Sequence, residues 1–546
     1  MATRKNTLKK ILSVCCATAI GMTVLLPDAT AQQVEPGEFP FFRSFLDGKT
    51  DYIKFPTGHG GRTNATNADC LSEYGLVLTY GTSQVGAFFL PQHTFDTNDG
   101  FLIEFEYIMQ GTDHSMTDGI TMFLVDAKPE YIGDNLMFGA AGAGFGYTHN
   151  MGYLTANRIS GIKGGYLAVA LDQGPFKVNR MLERDYGDEM RNGIPYDDTF
   201  YSTGSLAKKY DTRSNITIRG AAGNALRTIV VNGRNFNMPE GRWGYPVLAT
   251  RHTGWDPDTN LNDPQNLRND AGFKLDTGSG LYVKDIQGQI PNAFNIAGGG
   301  DFTGPEDPRY RKAIIALEPN PNTSEGGFKI TVTIQHGTEK TTVIQNFTYP
   351  LTLKYIENGF AANWDSNTGY AQIARTPPIE QYTVTRPEKL VIGFTASTGG
   401  ITPYTNIIRN LRITPIYAAN TANDDIRDHR RGPVTIRPLD NDLGYKTEGS
   451  SYIGDKDFLN PATFRFWLDE YTGVGEGDYE ISVPGKGKWV YDPQTREVLF
   501  FPVKGFTGQV EIMYDIKGMY APFNEEKYRS SLATISVTIE NNQPTP

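Results

Sequence analysis

The feature that most constrains this chain is a two-residue rhythm of side chains. Phe101, Ile103, Phe105 and Tyr107 alternate with Leu102, Glu104 and Glu106. Phe328, Ile330, Val332 and Ile334 alternate with Lys329, Thr331 and Thr333. A strand turns successive side chains to opposite faces, so this rhythm describes strands with one face in a core. Residues 120–125 and 166–171 are short, mainly apolar runs instead, as expected of strands buried on both faces. Turn signals such as Asn98-Asp99-Gly100, Glu325-Gly326-Gly327 and Glu357-Asn358-Gly359 separate the runs. No amphipathic pattern persists beyond two or three helical turns. With 59 Gly and 32 Pro in 546 residues, the chain is richer in turn formers than the usual ~12%. The reading is an all-β chain built as an antiparallel sandwich.

The rhythm fades over residues 177–210 and 234–309, which read as long loops laid over the sandwich. Residues 418–431 are polar, charged and without a strand pattern, and read as a linker. Beyond it Val510, Ile512, Tyr514 and Ile516 alternate again, as do Ala533, Ile535, Val537 and Ile539. The expected organisation is a large domain over 32–417, a linker over 418–431, a smaller β-sandwich over 432–540 and a tail over 541–546. Residues 1–31 read as an export signal. Arg4, Lys5, Lys9 and Lys10 precede an apolar stretch over 11–26, and Ala29-Thr30-Ala31 supplies small residues for cleavage before Gln32. Cleavage would remove Cys15 and Cys16 and leave Cys70 unpaired, so no internal disulfide is expected. The expected location is outside the cell, secreted or at a bacterial surface, with no membrane insertion after cleavage. A net charge of −10 argues against nucleic acid as a partner.

Five blocks of the large domain, in order, resemble L-type (legume-like) lectins. The first is Thr117-Asp118-Gly119-Ile120-Thr121-Met122-Phe123-Leu124, and the second is the Gly-rich run over residues 139–147. The third, residues 164–172, is similar to the strand that carries that family's metal-binding Asp. Residues 215–220 are similar to a strand of the bacterial members. Residues 390–400, followed by 408–413, look like the closing strands. The resemblance implies a concanavalin A-like jelly roll whose loops bind carbohydrate. Asp118 matches the sugar-binding carboxylate, with a cis peptide often found at the position of Thr117-Asp118. Gly142, Ala143 and Gly144 match the loop whose backbone N–H groups donate to sugar hydroxyls. Thr398, Gly399 and Gly400 match the variable specificity loop. The chemistry is coherent: a carboxylate accepts two hydroxyl protons, backbone amides donate, and an aromatic ring covers the apolar face of the sugar. Asp172 is the one metal-ligand position that matches. Ala170 stands where the family carries Glu, and Gln173-Gly174-Pro175-Phe176 lacks the expected Asn. A hard cation needs several oxygen ligands, so no cofactor is expected, and calcium is left with Asp172 alone on that strand.

Other constellations fit less well. Asp256-Pro-Asp258-Thr-Asn260-Leu-Asn262-Asp263 begins like a calcium loop, but Leu261 and Leu267 occupy its Gly and Glu positions. Asp276-Thr277-Gly278 matches an aspartic-protease signature without a second copy. Glu183-Arg-Asp185-Tyr-Gly-Asp188-Glu189 approaches the carboxylate spacing of jelly-roll glycosidases, yet Arg184 and Gly187 suit a solvated loop better. No His-Glu-x-x-His or Gly-x-Ser-x-Gly occurs, and the Gly142 run lacks the strand-to-helix setting of a phosphate loop. No catalytic residue is assigned, and the chain is not read as an enzyme.

In the smaller domain, Gly432-Pro-Val-Thr-Ile-Arg-Pro-Leu439-Asp440-Asn441-Asp442 resembles the opening of bacterial adhesin repeats of the CshA type. Residues 487–493, 498–508 and 533–539 continue the likeness. Trp489, Phe500 and Phe506 are expected to fill its core. Together the resemblances imply an exported lectin-like adhesin whose partners are glycans or glycoconjugates, with other surface proteins as further candidates. A surface protein that keeps the fold without sugar binding, or a glycoside hydrolase, are the other readings.

Overall fold

The computed structural model describes residues 39–540. Residues 59–67, 72, 112–117, 133–135, 150–159, 174–213, 224–225, 232–233, 239, 242, 256–271, 279–280, 285–289, 291, 299–303, 323, 325, 357–360, 366–369, 374–378, 399–402, 429–431 and 449–450 are excepted.

Alternating and mainly apolar runs become two kinds of strand. Phe101–Gly111 buries every second residue over its first half, and Arg311–Pro319 and Gly326–His336 do much the same. They lie in one eight-stranded sheet. Its order is Glu339–Pro350, Gly326–His336, Arg311–Pro319, Phe101–Gly111, Tyr404–Thr414, Gly75–Gly81 and Asp69–Leu71, with Phe41–Arg43 paired to Tyr404–Thr414. Gly119–Asp126 and Gly165–Asp172 are buried almost throughout and sit in the middle of the second sheet. That sheet runs Leu281–Lys284, Gly272–Asp276, Val247–His252, Asn215–Arg219, Gly165–Asp172, Gly119–Asp126, Lys389–Ser397 and Val85–Asp96. Every pairing in both sheets is antiparallel.

The chain crosses between the sheets repeatedly: Gly75–Gly81 in the first, Val85–Asp96 in the second, Phe101–Gly111 back in the first, Gly119–Asp126 in the second. This wrapping is the jelly roll expected from sequence. Its core is the space between the sheets, filled by Phe88, Phe105, Met122, Val169, Ile216, Ile315, Val332 and Phe394 among others. A second apolar layer covers part of the outer face of the second sheet, where Phe123, Ala168 and Ala170 meet Phe145, Tyr147 and Tyr245. Among the described residues no helix is long and apolar enough to cross a membrane.

The smaller domain is also a sandwich. One sheet orders Asp424–Asp428, Ala533–Ile539, Gly508–Gly518 and Leu459–Trp467; the other orders Val434–Ile436, Glu497–Pro502, Gly487–Asp492 and Glu480–Val483. Trp489 and Phe500 are fully buried between them, and Phe506 packs at the margin of the same core. The stretch 418–431 differs from its sequence reading: Asp424–Asp428 is a strand, paired in parallel with Ala533–Ile539. The cause is visible in its composition. Asp424 and Asp428 lie at the inner positions of its alternation, with Ile426 between them, so the rhythm carries carboxylates where apolar residues are expected.

Candidate functional site

The site forms where the second sheet ends, on the face turned away from the sandwich core. Strand register aligns its side chains in rows. Ser397, Gly119, Asp172, Asn215 and His252 are successive cross-strand partners in one row. Thr395, Thr121, Ala170, Thr217 and Thr250 form the next. Below them Phe123 and Ala168 begin the apolar layer. The face therefore grades from apolar to hydroxyl-rich to charged within a few residues of strand.

Each predicted segment reaches this end by a traceable route. Asp118 precedes Gly119 at the head of its strand, is buried, and its carbonyl accepts from the Gln173 amide at 2.9 Å. Gly119 sits at φ 142°, and a Cβ there would lie 2.1 Å from the Leu171 carbonyl, so only glycine allows the strands to close here. Gly142–Gly144 is a 3-10 turn laid over the same end. The Gly142 amide donates to Ser397 Oγ at 2.7 Å, and Thr395 Oγ1 donates to the Phe145 carbonyl. Thr398 follows directly, its Oγ1 accepting from the Gln84 amide at 2.9 Å. Asp118, the Gly142–Gly144 turn and Thr398 are thus gathered around the Gly119–Ser397 pair. Buried tyrosines hold the turn's far side. Tyr147 donates its hydroxyl to the Gly220 carbonyl at 2.9 Å and Tyr245 to the Ile162 carbonyl at 2.7 Å. Burial raises both phenols well above their ordinary range, so they remain neutral donors.

The turn does not present all the donors that the resemblance implies, because the Gly142 amide is already engaged by Ser397. Gly399 and Gly400, the Thr117-Asp118 peptide, and the motifs over 183–189 and 256–263 lie outside the described residues. Asp276 accepts from the Gly278 amide at 3.1 Å, which makes the Asp-Thr-Gly signature a local turn. Sequence reading missed Ser397, Thr395 and Gln84. They are small or neutral residues whose partners lie hundreds of positions away, and no local pattern marks them.

The residues around Asp172 set what this end of the sheet can hold. Asp172 is fully buried and accepts from Thr217 Oγ1 at 3.0 Å, and Thr217 in turn contacts Thr250 at 2.9 Å. The neighbouring row has a methyl group at Ala170 between Thr121 and Thr217. Among the described residues no group of three His, Cys, Asp or Glu side chains could hold a metal ion. Among the described residues Asp172 is the one carboxylate in these two rows, which does not fit a divalent cation that wants six or more oxygens. Melting curves of the protein in excess chelator and in millimolar calcium should therefore superimpose within about two degrees. A calcium-dependent rise beyond about five degrees would show that ligands converge on Asp172.

No protein-family model matches the chain, and no curated protein matches it in sequence. Among solved structures, it is similar to the metal-free form of lectin I-B4 from Griffonia simplicifolia, with 13% identity over 69% of this chain and 98% of that one, at a TM-score of 0.30. The Ca2+/Man3GlcNAc-bound exoplasmic/lumenal domain of VIP36 aligns with 11% identity over 69% and 90%, at 0.28. The carbohydrate recognition domain of Emp47p aligns with 10% identity over 71% and 97%, at 0.28. The fold assignment rests on the strand order itself.

Proposed function

We propose that this protein is an exported, lectin-like surface protein that binds carbohydrate at the end of the second sheet. The observation that carries the reading is the convergence of Asp118, the Gly142–Gly144 turn and Thr398 around one pair of strand ends. A carboxylate beside a glycine turn offers acceptors and donors to adjacent hydroxyls of one sugar ring. Such a surface buries little apolar area, so single-site affinity is weak and display of several copies strengthens attachment. The smaller sandwich serves as the spacer that presents the jelly roll.

The test is a broad glycan array probed with the wild-type protein and with Asp118→Asn. Capture of a defined sugar class by wild type, with signal reduced to background in the variant, is the expected outcome. A second reading is favoured by two observations: the Gly142 amide is already occupied, and Ala170 puts a methyl group two residues before Asp172 where the lectins that the sequence resembles carry Glu. On that reading the fold is kept as a protein-binding scaffold. A blank array together with a specific protein ligand would establish it in place of the first.

A further inference from the structure

We propose that the seam between the two domains holds a second ligand site, one that takes an uncharged polyol such as the hydroxyl-bearing edge of a sugar. The seam contains a cavity of about 90 Å³. Phe39, Phe41, Arg43 and His93 line it from the jelly roll, and Trp467 and Glu470 from the smaller sandwich.

Several polar groups around this cavity are buried without a hydrogen-bond partner. Arg43 is 1% exposed. Its Nη2 donates to Asp47 Oδ1 at 3.1 Å and to the Lys49 carbonyl at 3.0 Å, but Nε and Nη1 donate to nothing. The carboxylates paired with those two atoms are Glu470, at 3.4 Å from Nε, and Asp51, at 3.8 Å from Nη1. Glu470 accepts from the Ser44 amide through Oε1 at 3.1 Å, and its Oε2 lies 3.4 Å from Arg43 Nε as an ion pair without a hydrogen bond. Trp467 Nε1 and His93 Nδ1 are also buried and unpaired. A buried polar atom left unmade costs about 1–3 kcal/mol, so the Trp467 and His93 nitrogens, beside ion-paired Arg43 and Glu470 atoms that still lack a hydrogen bond, point to something that fills the cavity.

The charges select the class of ligand. Arg43 faces Asp47, Asp51 and Glu470, with Lys49 also on Asp47, and Arg465 makes a two-pronged bond to Asp515 at 2.9 and 2.7 Å. Every charge here already has a partner of opposite sign, so an ion entering the seam would have to displace one of these pairs. The open positions are donors on Arg43 and Trp467 and an acceptor on Glu470. A hydroxyl meets both needs at once, accepting from the guanidinium or indole and donating to Oε2. The remaining wall is aromatic. Phe39, Phe41 and Tyr52 surround the His93 ring edge-on at 6.2, 4.8 and 5.7 Å, a surface suited to the C–H face of a polyol. A cavity of about 90 Å³ is several times the roughly 10–15 Å³ that one water needs, so it has room for a small polyol. Burial lowers the His93 pKa to about 4, so its ring stays neutral at physiological pH and adds no charge to this balance. The seam shares no residue with the Asp118 site, so the two proposals fail or stand separately.

The test uses the full chain labelled with 5-fluorotryptophan and titrated with erythritol, followed by fluorine NMR. The five tryptophans give five signals, and Trp467→Phe identifies the one in the seam. The expected result is a saturable shift confined to the Trp467 signal, half-complete at millimolar erythritol. Glu470→Gln keeps the acceptor for the Ser44 amide and should weaken binding about tenfold. Arg43→Lys should do the same, and if that variant fails to fold, Glu470→Gln decides alone. A shift that grows linearly without saturating, that affects all five signals alike, or that is unchanged in Glu470→Gln would overturn the proposal and show that the seam holds water only.

Discussion

Replacing Asp515 with Ala should destabilise the smaller domain by about 3–5 kcal/mol, a large fraction of the stability a domain has. Asp515 lies on Gly508–Gly518 with its side chain 3% exposed, between two buried arginines. Arg465 reaches it through Nε and Nη2 at 2.9 and 2.7 Å, and Arg529 through Nη1 at 3.0 Å. Arg529 is itself fully buried and also donates to the Thr463 carbonyl at 2.8 Å and to Glu526 at 2.7 Å. Removing the shared carboxylate leaves buried Arg465 with only a 3.6 Å contact to Glu526 and leaves Arg529 to Glu526 and Glu476, so an under-compensated guanidinium remains in a low-dielectric setting. Arg529→Met should cost less, because Asp515 keeps Arg465 and the methionine fills part of the space. Urea unfolding of the two variants measures the order. Equal losses below about 1 kcal/mol would mean that the triad is hydrated and contributes little.

The second large effect is on pH dependence. Asp442 is fully buried in the smaller domain, where Oδ1 accepts from the Ala422 amide at 2.8 Å and Oδ2 from the Tyr514 hydroxyl at 2.9 Å. Asp424 faces the same hydroxyl at 3.5 Å and accepts from Asn441 at 3.1 Å. Burial pushes Asp442 up to about 8 and Asp424 up to about 7, with mutual repulsion adding to Asp442 and repulsion from Asp440 adding to Asp424. The pair holds protons in the folded state that the unfolded chain releases near pH 4. Stability from this pair is therefore fully present below about pH 4 and falls as pH rises toward and through 8. The domain should unfold at lower urea at pH 8.5 than at pH 6, and Asp442→Asn should flatten that slope. A transition midpoint that rises between pH 6 and 8.5 in wild type would show that both carboxylates are ionised throughout.

These two predictions mark where sequence reading runs out. The strands themselves were legible, because burial on one face or both leaves a direct signature in the order of Phe, Ile, Val and Leu. That Asp118, Gly142–Gly144 and Thr398 belong to one site was an expectation from the resemblance of the blocks that carry them. Its fastening was not legible. Gly142 and Ser397 are 255 residues apart, and nothing local couples a glycine amide to a serine hydroxyl at that range. The inward carboxylates were hidden for a different reason. Asp424, Asp442 and Asp515 stand in polar or strand-like surroundings that sequence assigns to solvent, and only packing turns them inward. Arg43 is the same case: a basic residue at the start of the large domain that reads as surface, yet it lies fully buried in a seam with residues more than 400 positions away.

The account rests on Asp118 being the carboxylate that a sugar meets. The most direct measurement is calorimetric titration of wild type and Asp118→Asn with the sugar that the array selects, after equal melting temperatures are verified. A charge-assisted hydrogen-bond pair lost at the centre of a small polar site should weaken binding by about a hundredfold or abolish it. Equal dissociation constants for the two proteins would contradict the account and move carbohydrate binding, if any, away from this end of the sheet.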